Sequence, residues 1–220
     1  MTPITSAELD RVDPADGRST RWEAHREQRR AELSRAARKA VHRGGPDLSM
    51  DEMAAAMGTS KSIVYRYFTD KSGLQAAVGQ EVLDEIADAL AAASRAEGTA
   101  QQRMRAMVEI YVSTLTHSPN VYRFVTAQPG GTTMSTFLST VAEAVAAPLG
   151  EILGTADDDG RLAVLWADGM VGFVRGAGER WLDTEPADRL SAEQMVDLLA
   201  GWLWRGASAT SRIRSTGEIS

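Results

Sequence analysis

Apolar residues recur every four positions along much of the chain, with polar residues between them. The clearest such stripe consists of Leu74, Val78, Val82, Ile86 and Leu90. A spacing of four places side chains on one face of an α-helix, so this segment is predicted to be a helix with one buried side. We find neither the two-residue alternation of strands nor a hairpin signal, so the pattern predicts an all-α protein.

Helix starts are marked by capping boxes, in which a Ser or Thr and a residue three places later cap each other's backbone N–H groups. The pairs are Thr20 with Glu23, Ser49 with Glu52, Thr99 with Gln102, and Ser191 with Gln194. Ser118-Pro119 offers a further start, because Pro suits the first helical position. About nine helices are predicted, over residues 20–43, 50–57, 61–67, 71–95, 100–116, 119–127, 134–152, 160–183 and 187–207, with Pro148 as a kink or an early stop.

The predicted helices divide the chain into two domains between two tails. We expect a flexible tail over residues 1–18, a small domain over 19–70, a larger domain over 71–210 and a tail over 211–220. The chain has 220 residues, of which 43% are hydrophobic, which is enough for a packed core. It has no cysteine, which excludes disulfides and thiolate metal sites and fits a cytoplasmic protein. No apolar run reaches the ~20 residues that span a bilayer, so no membrane partner is expected.

Charge is unevenly distributed between the two predicted domains. The net charge of the chain is -6, yet residues 17–71 hold twelve basic against seven acidic residues, a net charge of +5. Residues 72–220 hold eleven against nineteen. A basic segment attached to an acidic body indicates that one end of the molecule meets an anion.

Residues 48–74 carry the most informative pattern, a capped helix, a Gly-containing turn and a second short helix. This order is typical of a helix-turn-helix, whose second helix enters the major groove of DNA. The side chains predicted to face the bases are Lys61, Ser62, Ile63 and Arg66; those suited to phosphates are Tyr65, Tyr67 and Lys71. Val64 and Phe68 would be core. The alternative is a plain helical hairpin with core aromatics and solvated charges.

The same segment resembles the DNA-binding domain of the TetR family of transcriptional regulators. The resemblance covers residues 28–75 and rests mainly on Gly58–Phe68, GTSKSIVYRYF, and the Lys71 that follows it. It implies that Ser60 holds a phosphate together with Tyr65, Tyr67 and Lys71. It also implies a ligand-responsive regulator, most often a repressor, that binds a near-palindromic operator as a homodimer.

One departure from the family lies at the N-terminus, where this chain has about 18 extra residues. They include or adjoin Arg11, Arg18 and Arg21. Such arginines could follow the minor groove as a flexible arm, or the tail could be disordered and incidental.

The larger domain would hold the effector and the dimer interface. Large flexible and aromatic side chains suit an apolar ligand cavity; these are Met104, Met107, Tyr111, Tyr122, Phe124, Phe137, Trp166, Met170 and Phe173. The resemblance places the dimer interface on the last two helices, where the candidates are Met195, Leu199, Trp202 and Leu203. The last predicted helix has more apolar surface than one packing face requires, which supports an interface there; the alternative is an internal core helix. Glycines in the segment 160–183 indicate close backbone approach to a helix or a ligand.

Two other function classes are less consistent with the sequence. An enzyme is not favoured, because the sequence has only three histidines. It also has no metal-protease motif, no phosphate-binding loop motif and no nucleophile-elbow motif. A helical protein–protein adaptor without DNA binding is the second alternative, and the intact Lys61, Tyr65, Tyr67 and Lys71 set argues against it. No cofactor is expected. Residues 16–22, DGRSTRW, are similar to actinobacterial regulators of lipid metabolism, which implies a long-chain fatty acyl-CoA as effector.

Overall fold

A computed structural model describes residues 16–127, 132–153 and 161–216, with side chains for residues 21–127, 138–147, 149–151 and 161–209. These residues form nine α-helices and no strand, which confirms the all-α prediction. The helices are α1 (Asp16–Gly44), α2 (Met50–Ala56), α3 (Lys61–Phe68), α4 (Lys71–Arg95), α5 (Ala100–His117), α6 (Pro119–Thr126), α7 (Thr132–Leu153), α8 (Arg161–Leu182) and α9 (Ala192–Thr216). None of the described helices is both long and apolar enough to cross a membrane.

Helices α1 to α3 form a small N-terminal domain that packs on the start of α4. Its core includes Val41 of α1, Met53 of α2 and Val64 of α3, each fully buried, together with Leu74 and Val78 of α4. Helix α6 also enters this core, although it lies more than 40 residues further along the chain. The N-terminal domain is therefore built on two helices of the rest of the protein.

Helices α4 to α9 form the larger C-terminal domain. Its core runs from α5 through α7 and α8 to α9, and Leu115, Leu149 and Leu199 are its fully buried leucines. Helix α4 packs against α1 on one side and against α5 and α7 on the other. Helix α4 therefore connects the two domains through direct packing contacts on both.

Three of the four predicted capping boxes are confirmed. Ser49 and Glu52 cap α2, Thr99 and Gln102 cap α5, and the Ser191 Oγ accepts from the Gln194 N–H at 3.1 Å at the start of α9. The prediction at Thr20 is wrong, since α1 already begins at Asp16 and Thr20 lies inside it.

Several predicted boundaries also need correction. Residues 16–18 are helical and do not belong to a tail, and residues 211–216 continue α9. Helix α9 begins at Ala192 and not near residue 187, while α7 continues past Pro148 to Leu153, so Pro148 is no early stop. Residues 1–15, with Arg11 and most of the predicted N-terminal tail, and residues 128–131 and 154–160 lie outside the described part of the chain.

Candidate nucleic-acid interface and ligand cavity

The turn between α2 and α3 fixes the angle at which α3 is presented. Gly58 has a φ of +67°, a left-handed conformation that glycine adopts without steric cost. Ser60 then caps α3, because its Oγ accepts from the Ile63 N–H at 3.4 Å. Ser60 was predicted to hold a phosphate. The structure gives its hydroxyl this local role, with the Ser62 hydroxyl 3.0 Å away.

Helix α3 divides into a buried and an exposed face, as predicted. Val64 and Phe68 are buried against α1, α2 and α4, which confirms their assignment to the core. The opposite face is open to solvent along its length and carries Lys61, Ser62, Ile63, Tyr65 and Arg66. A short helix with this exposed polar face has the dimensions that the major groove accepts.

Lys61 is not free in the absence of DNA. Its Nζ lies 2.8 Å from Oδ1 of Asp51 on α2, and 5.7 Å from the centre of the Tyr65 ring. The hydrogen bond to Asp51 raises the pKa of Lys61, so the ammonium stays charged. To contact a base, Lys61 would have to leave Asp51, which lowers the net gain from that contact. Its predicted role in base reading remains a prediction.

Tyr67 near the end of α3 and Lys71 at the start of α4, both predicted phosphate contacts, are half-buried. The Lys71 Nζ is 5.9 Å from the centre of the Phe124 ring, within cation–π distance. Backbone N–H groups at the start of a helix can bind a phosphate, and α4 starts at Lys71. Instead the Asp70 carboxylate caps α4 and accepts from the Gly73 N–H at 2.7 Å. That N–H is therefore occupied, and an acidic group adjoins Lys71.

An apolar cavity with a volume of about 110 Å³ lies in the C-terminal domain and is lined by residues of α4 to α9. Five predicted ligand residues line it, namely Met104, Met107, Tyr111, Tyr122 and Met170. The sequence interpretation missed the α4 wall of Val82, Leu83, Ile86 and Leu90. Its four-residue stripe was recognised as buried, but a stripe alone does not distinguish core from cavity.

Three predicted ligand residues do not line the cavity. Phe124 is fully buried in the core of the N-terminal domain, and Trp166 packs between α8 and α9 near Gly206. Phe173 is 44% exposed on the outer surface of α8. The reason is the helical period, since Phe124 and Phe173 lie on other faces of their helices than Tyr122 and Met170. The side chain of Phe137, on α7, lies outside the described residues.

A polar cluster forms one end of the cavity. The hydroxyls of Tyr111 and Tyr122 lie 3.3 Å apart, and the Tyr122 hydroxyl donates to Oε1 of Glu179 at 2.9 Å. Arg175 lines the cavity and its Nε donates to the same carboxylate oxygen at 2.9 Å. Burial raises the pKa of Tyr122 to about 12 and also raises the pKa of Tyr111. Both phenols therefore remain neutral hydrogen-bonding groups at physiological pH.

Gly178 is needed to place this cluster. A Cβ at that position would lie 2.5 Å from Cε1 of Tyr111 and 2.9 Å from Cδ1 of Leu115. Neither ring nor leucine could yield without disturbing the core. Gly178 thus confirms the expectation that a glycine in this segment permits close approach, here of α5 to α8.

Helix α6 packs into the N-terminal core with one face and lines the cavity with another, a feature that the sequence interpretation did not identify. Val121 and Phe124 are buried in the core of the N-terminal domain, whereas Tyr122, Val125 and Thr126 line the cavity. Two polar contacts also tie the start of α6 to α1, because Asn120 Nδ2 donates to the His42 carbonyl at 3.1 Å and Ser118 Oγ lies 3.0 Å from His42 Nδ1. A ligand in the cavity would touch a helix that also supports the N-terminal domain.

The predicted dimer residues divide differently from expectation. Met195, Leu199 and Leu203 are buried inside the protomer, and Leu203 lines the cavity, so these three cannot form the interface. The apolar side of α9 faces its own core. Only Trp202 is exposed, and its ring meets Phe173 edge to face with centroids 5.8 Å apart.

Among the described side chains of the last two helices, most of the exposed apolar surface lies on α8. Leu165 is 68% exposed and falls on one stripe with Gly169, Gly172 and Gly176. A Cβ at any of these glycines would meet nothing within 4 Å in the protomer. With Val164, Phe173 and Trp202, this stripe forms what we term the α8 surface.

The described residues contain no group of three His, Asp or Glu side chains arranged to hold a metal ion. The candidate functional regions are the exposed α3 face, the apolar cavity and the α8 surface.

Comparison with known families gives two matches that together span most of the chain. Residues 33–78 match the family described as bacterial regulatory proteins, tetR family. Residues 89–218 match the tetracyclin repressor-like C-terminal domain.

Individual relatives agree with these matches. An uncharacterized HTH-type transcriptional regulator of Mycobacterium tuberculosis is 33% identical over 193 residues, covering 86% of this chain and 81% of the relative. The HTH-type transcriptional activator FasR of Mycolicibacterium smegmatis is 29% identical over 208 residues, covering 92% and 93%. Among solved structures, the regulator FadR of Bacillus subtilis in complex with stearoyl-CoA has a TM-score of 0.63 at 15% identity, covering 80% of this chain and 97% of that one. This last likeness concerns the fold.

Proposed function

This chain belongs to the TetR family of DNA-binding transcriptional regulators, and from this we propose that it is a homodimeric repressor whose affinity for a near-palindromic operator is controlled by a small apolar effector. Members of the family are regulators and not enzymes. We further propose that the protein acts in the cytoplasm, where it meets the chromosome.

The observation that carries the proposal is the double contact of α6. An effector changes DNA affinity only if it binds the DNA-competent and DNA-incompetent states unequally. A ligand against Tyr122, Val125 or Thr126 displaces a helix whose other face holds Val121 and Phe124 in the N-terminal domain. Effector contact is thereby converted into a movement of α3.

The size of the cavity supports such a displacement. A volume of about 110 Å³ is smaller than the ~300 Å³ at the lower end of typical ligand pockets. A larger effector must push the wall outward, and the methionines Met104, Met107 and Met170 can change shape at little cost. The remaining displacement falls on α4 and α6. The DNA-competent state would then be the one with the small cavity.

The effector that best fits these walls is a long acyl chain, and we propose a fatty acyl-CoA. The cavity is lined almost entirely by carbon, while Tyr111, Tyr122 and Arg175 offer hydrogen-bonding groups at one end, where a thioester carbonyl could be held. The FadR structure with stearoyl-CoA shares this fold, which makes that class the first to test.

A prediction separates DNA reading from simple attraction to DNA. With fluorescence anisotropy on duplexes tiled across the DNA upstream of the chain's own gene, specific binding should weaken steeply with salt. Lys71→Ala should weaken binding to all sequences and lower the salt slope by about 1, because a phosphate contact is lost. Arg66→Ala should instead reduce discrimination between bases by about 1–3 kcal/mol. An adaptor without DNA binding would show equal, weak retention of every fragment.

A second prediction concerns the cavity. Thr114 lines it and Thr116, two residues further along α5, is exposed, so the pair forms a matched control. Thr114→Phe should fill the cavity and abolish the response of operator binding to palmitoyl-CoA, while Thr116→Phe should leave the response intact. The response is measured as the anisotropy of bound operator during acyl-CoA titration, with coenzyme A alone as blank. Equal responses of the two variants would place the effector elsewhere.

The direction of regulation is tested in the same system. A promoter fused to a reporter gene should be silenced by the protein and released by the effector. Activation of the promoter by the protein would replace the repressor assignment, without touching the proposed operator and cavity.

A further inference from the structure

Helix α1 extends well beyond the core of the N-terminal domain. Its buried stripe consists of Leu33, Ala37 and Val41. Extrapolated at helical spacing towards the N-terminus, that stripe passes through Arg30, Arg26 and Trp22. Arg30 lies over the Phe68 ring at 5.5 Å and so holds this part of α1 against α3. The inner face of α1 thus continues as a cationic and aromatic surface past the last core residue.

The extension and α3 enclose an open cleft of about 320 Å³, here called the α1–α3 cleft. It is lined by Trp22, His25 and Arg26 of α1 and by Arg66 and Tyr67 of α3. Trp22 is 64% exposed, which is unusual for so large an apolar side chain. The cleft therefore adjoins the face of α3 that reads bases.

The charged side chains of the cleft lack an ion-pair partner among the side chains that the structure describes. Arg26 and Arg66 make no ion pair with any described side chain, whereas the neighbouring Arg29 is paired with Glu32 at 2.7 Å. The two guanidinium groups are cationic donors, and the imidazole, the phenol and the indole N–H can each donate a hydrogen bond. Their common complement is an anion with several acceptor oxygens.

We propose that the α1–α3 cleft holds a phosphate group of the DNA backbone at the edge of the major groove that α3 enters. Arg26 is the main cationic contact, and Trp22 packs against the adjoining sugar. The extension of α1 is thereby a second DNA-binding element beside α3. This inference rests on the proposed operator binding only for the location of the contacted phosphate, because a phosphate contact can form on a duplex of any sequence.

The test compares Arg26→Ala with Arg35→Ala in the full-length protein. Arg35 lies nine residues along the same helix, on the opposite side, and is also exposed, so the charge change is matched. Anisotropy titrations on operator and unrelated duplexes at several salt concentrations should show about tenfold weaker binding for Arg26→Ala on both. The slope of log affinity against log salt should fall by about 1. Arg26→Lys should restore the wild-type salt slope. Trp22→Ala should weaken binding but leave the salt slope unchanged.

Placement within the site is tested by ethylating single phosphates of the operator. Ethylation of a phosphate next to the base pairs read by α3 should weaken operator binding by the wild-type protein. It should leave operator binding by the Arg26→Ala variant unchanged. The proposal is overturned if Arg26→Ala keeps the wild-type slope and affinity, or matches Arg35→Ala. If the wild type shows no sequence preference at all, that result contradicts the proposed operator function. The salt slopes on unrelated duplexes would then still test the phosphate contact in the α1–α3 cleft.

Discussion

Phe124→Ala should lower the free energy of unfolding by about 3–5 kcal/mol, the usual cost of truncating a buried aromatic ring. Phe124 is fully buried among α1, α2, α3 and α4, although it belongs to α6. Removing its ring leaves a void in the core of the N-terminal domain and removes the cation–π contact of the Lys71 ammonium. The hydrogen bond from Gln75 to the backbone carbonyl of residue 124, 3.1 Å long, is kept in the variant.

The loss is measured by urea denaturation at a fixed protomer concentration, because dimerisation also contributes to apparent stability. Phe124→Leu is the graded control and should cost less than about 1.5 kcal/mol, since it retains most of the apolar volume. We also expect Phe124→Ala to uncouple effector from operator, so that palmitoyl-CoA still binds but no longer changes DNA affinity. A cost below about 1 kcal/mol would show that α6 is not anchored in this core.

The elements that the sequence predicted well are those determined locally. Capping boxes at Ser49, Thr99 and Ser191 and the turn at Gly58 depend on residues within one helical turn, and the structure confirms the three boxes. The same pattern failed at Thr20, because the residues before it can also continue a helix. A capping box shows that a helix could begin at a residue, and the preceding residues decide whether it does.

The site was harder to predict, since it depends on which face of a helix meets which neighbour. Tyr122 and Phe124 are two residues apart on α6, yet one lines the cavity and the other fills the core of the other domain. Likewise the apolar width of α9 suggested an interface, whereas Met195 and Leu199 serve the protomer's own core. Composition identifies apolar surface, and only the packing shows what covers it.

The α8 surface leads to the second large effect. Leu165→Lys should convert the dimer into monomers, because it places a charge in the centre of the only extended apolar stripe on α8 and α9 among the described residues. Leu165 makes no contribution to the buried core of the protomer, so the fold should survive. Operator affinity should fall at least about 100-fold, since each half-site must then be bound independently.

Native mass spectrometry gives the mass of the assembly, and anisotropy gives the operator affinity. Leu190→Lys is the matched control, since Leu190 is also exposed but lies in the connection between α8 and α9. It should remain a dimer with wild-type affinity. A Leu165→Lys protein that stays dimeric would move the interface away from the α8 surface.

The glycines of the α8 surface allow a finer version of the same experiment. An exposed glycine in a helix interior lowers stability by about 1 kcal/mol relative to alanine. Within the protomer no close contact at Gly172 offsets this cost, because a Cβ there would meet nothing within 4 Å. In the monomeric Leu165→Lys background, Gly172→Ala should therefore raise stability by about 0.5–1 kcal/mol. In the wild-type background it should weaken the dimer, because the added methyl group separates two closely packed backbones. Opposite signs in the two backgrounds would identify close helix packing at Gly172 as the reason that α8 contains these glycines.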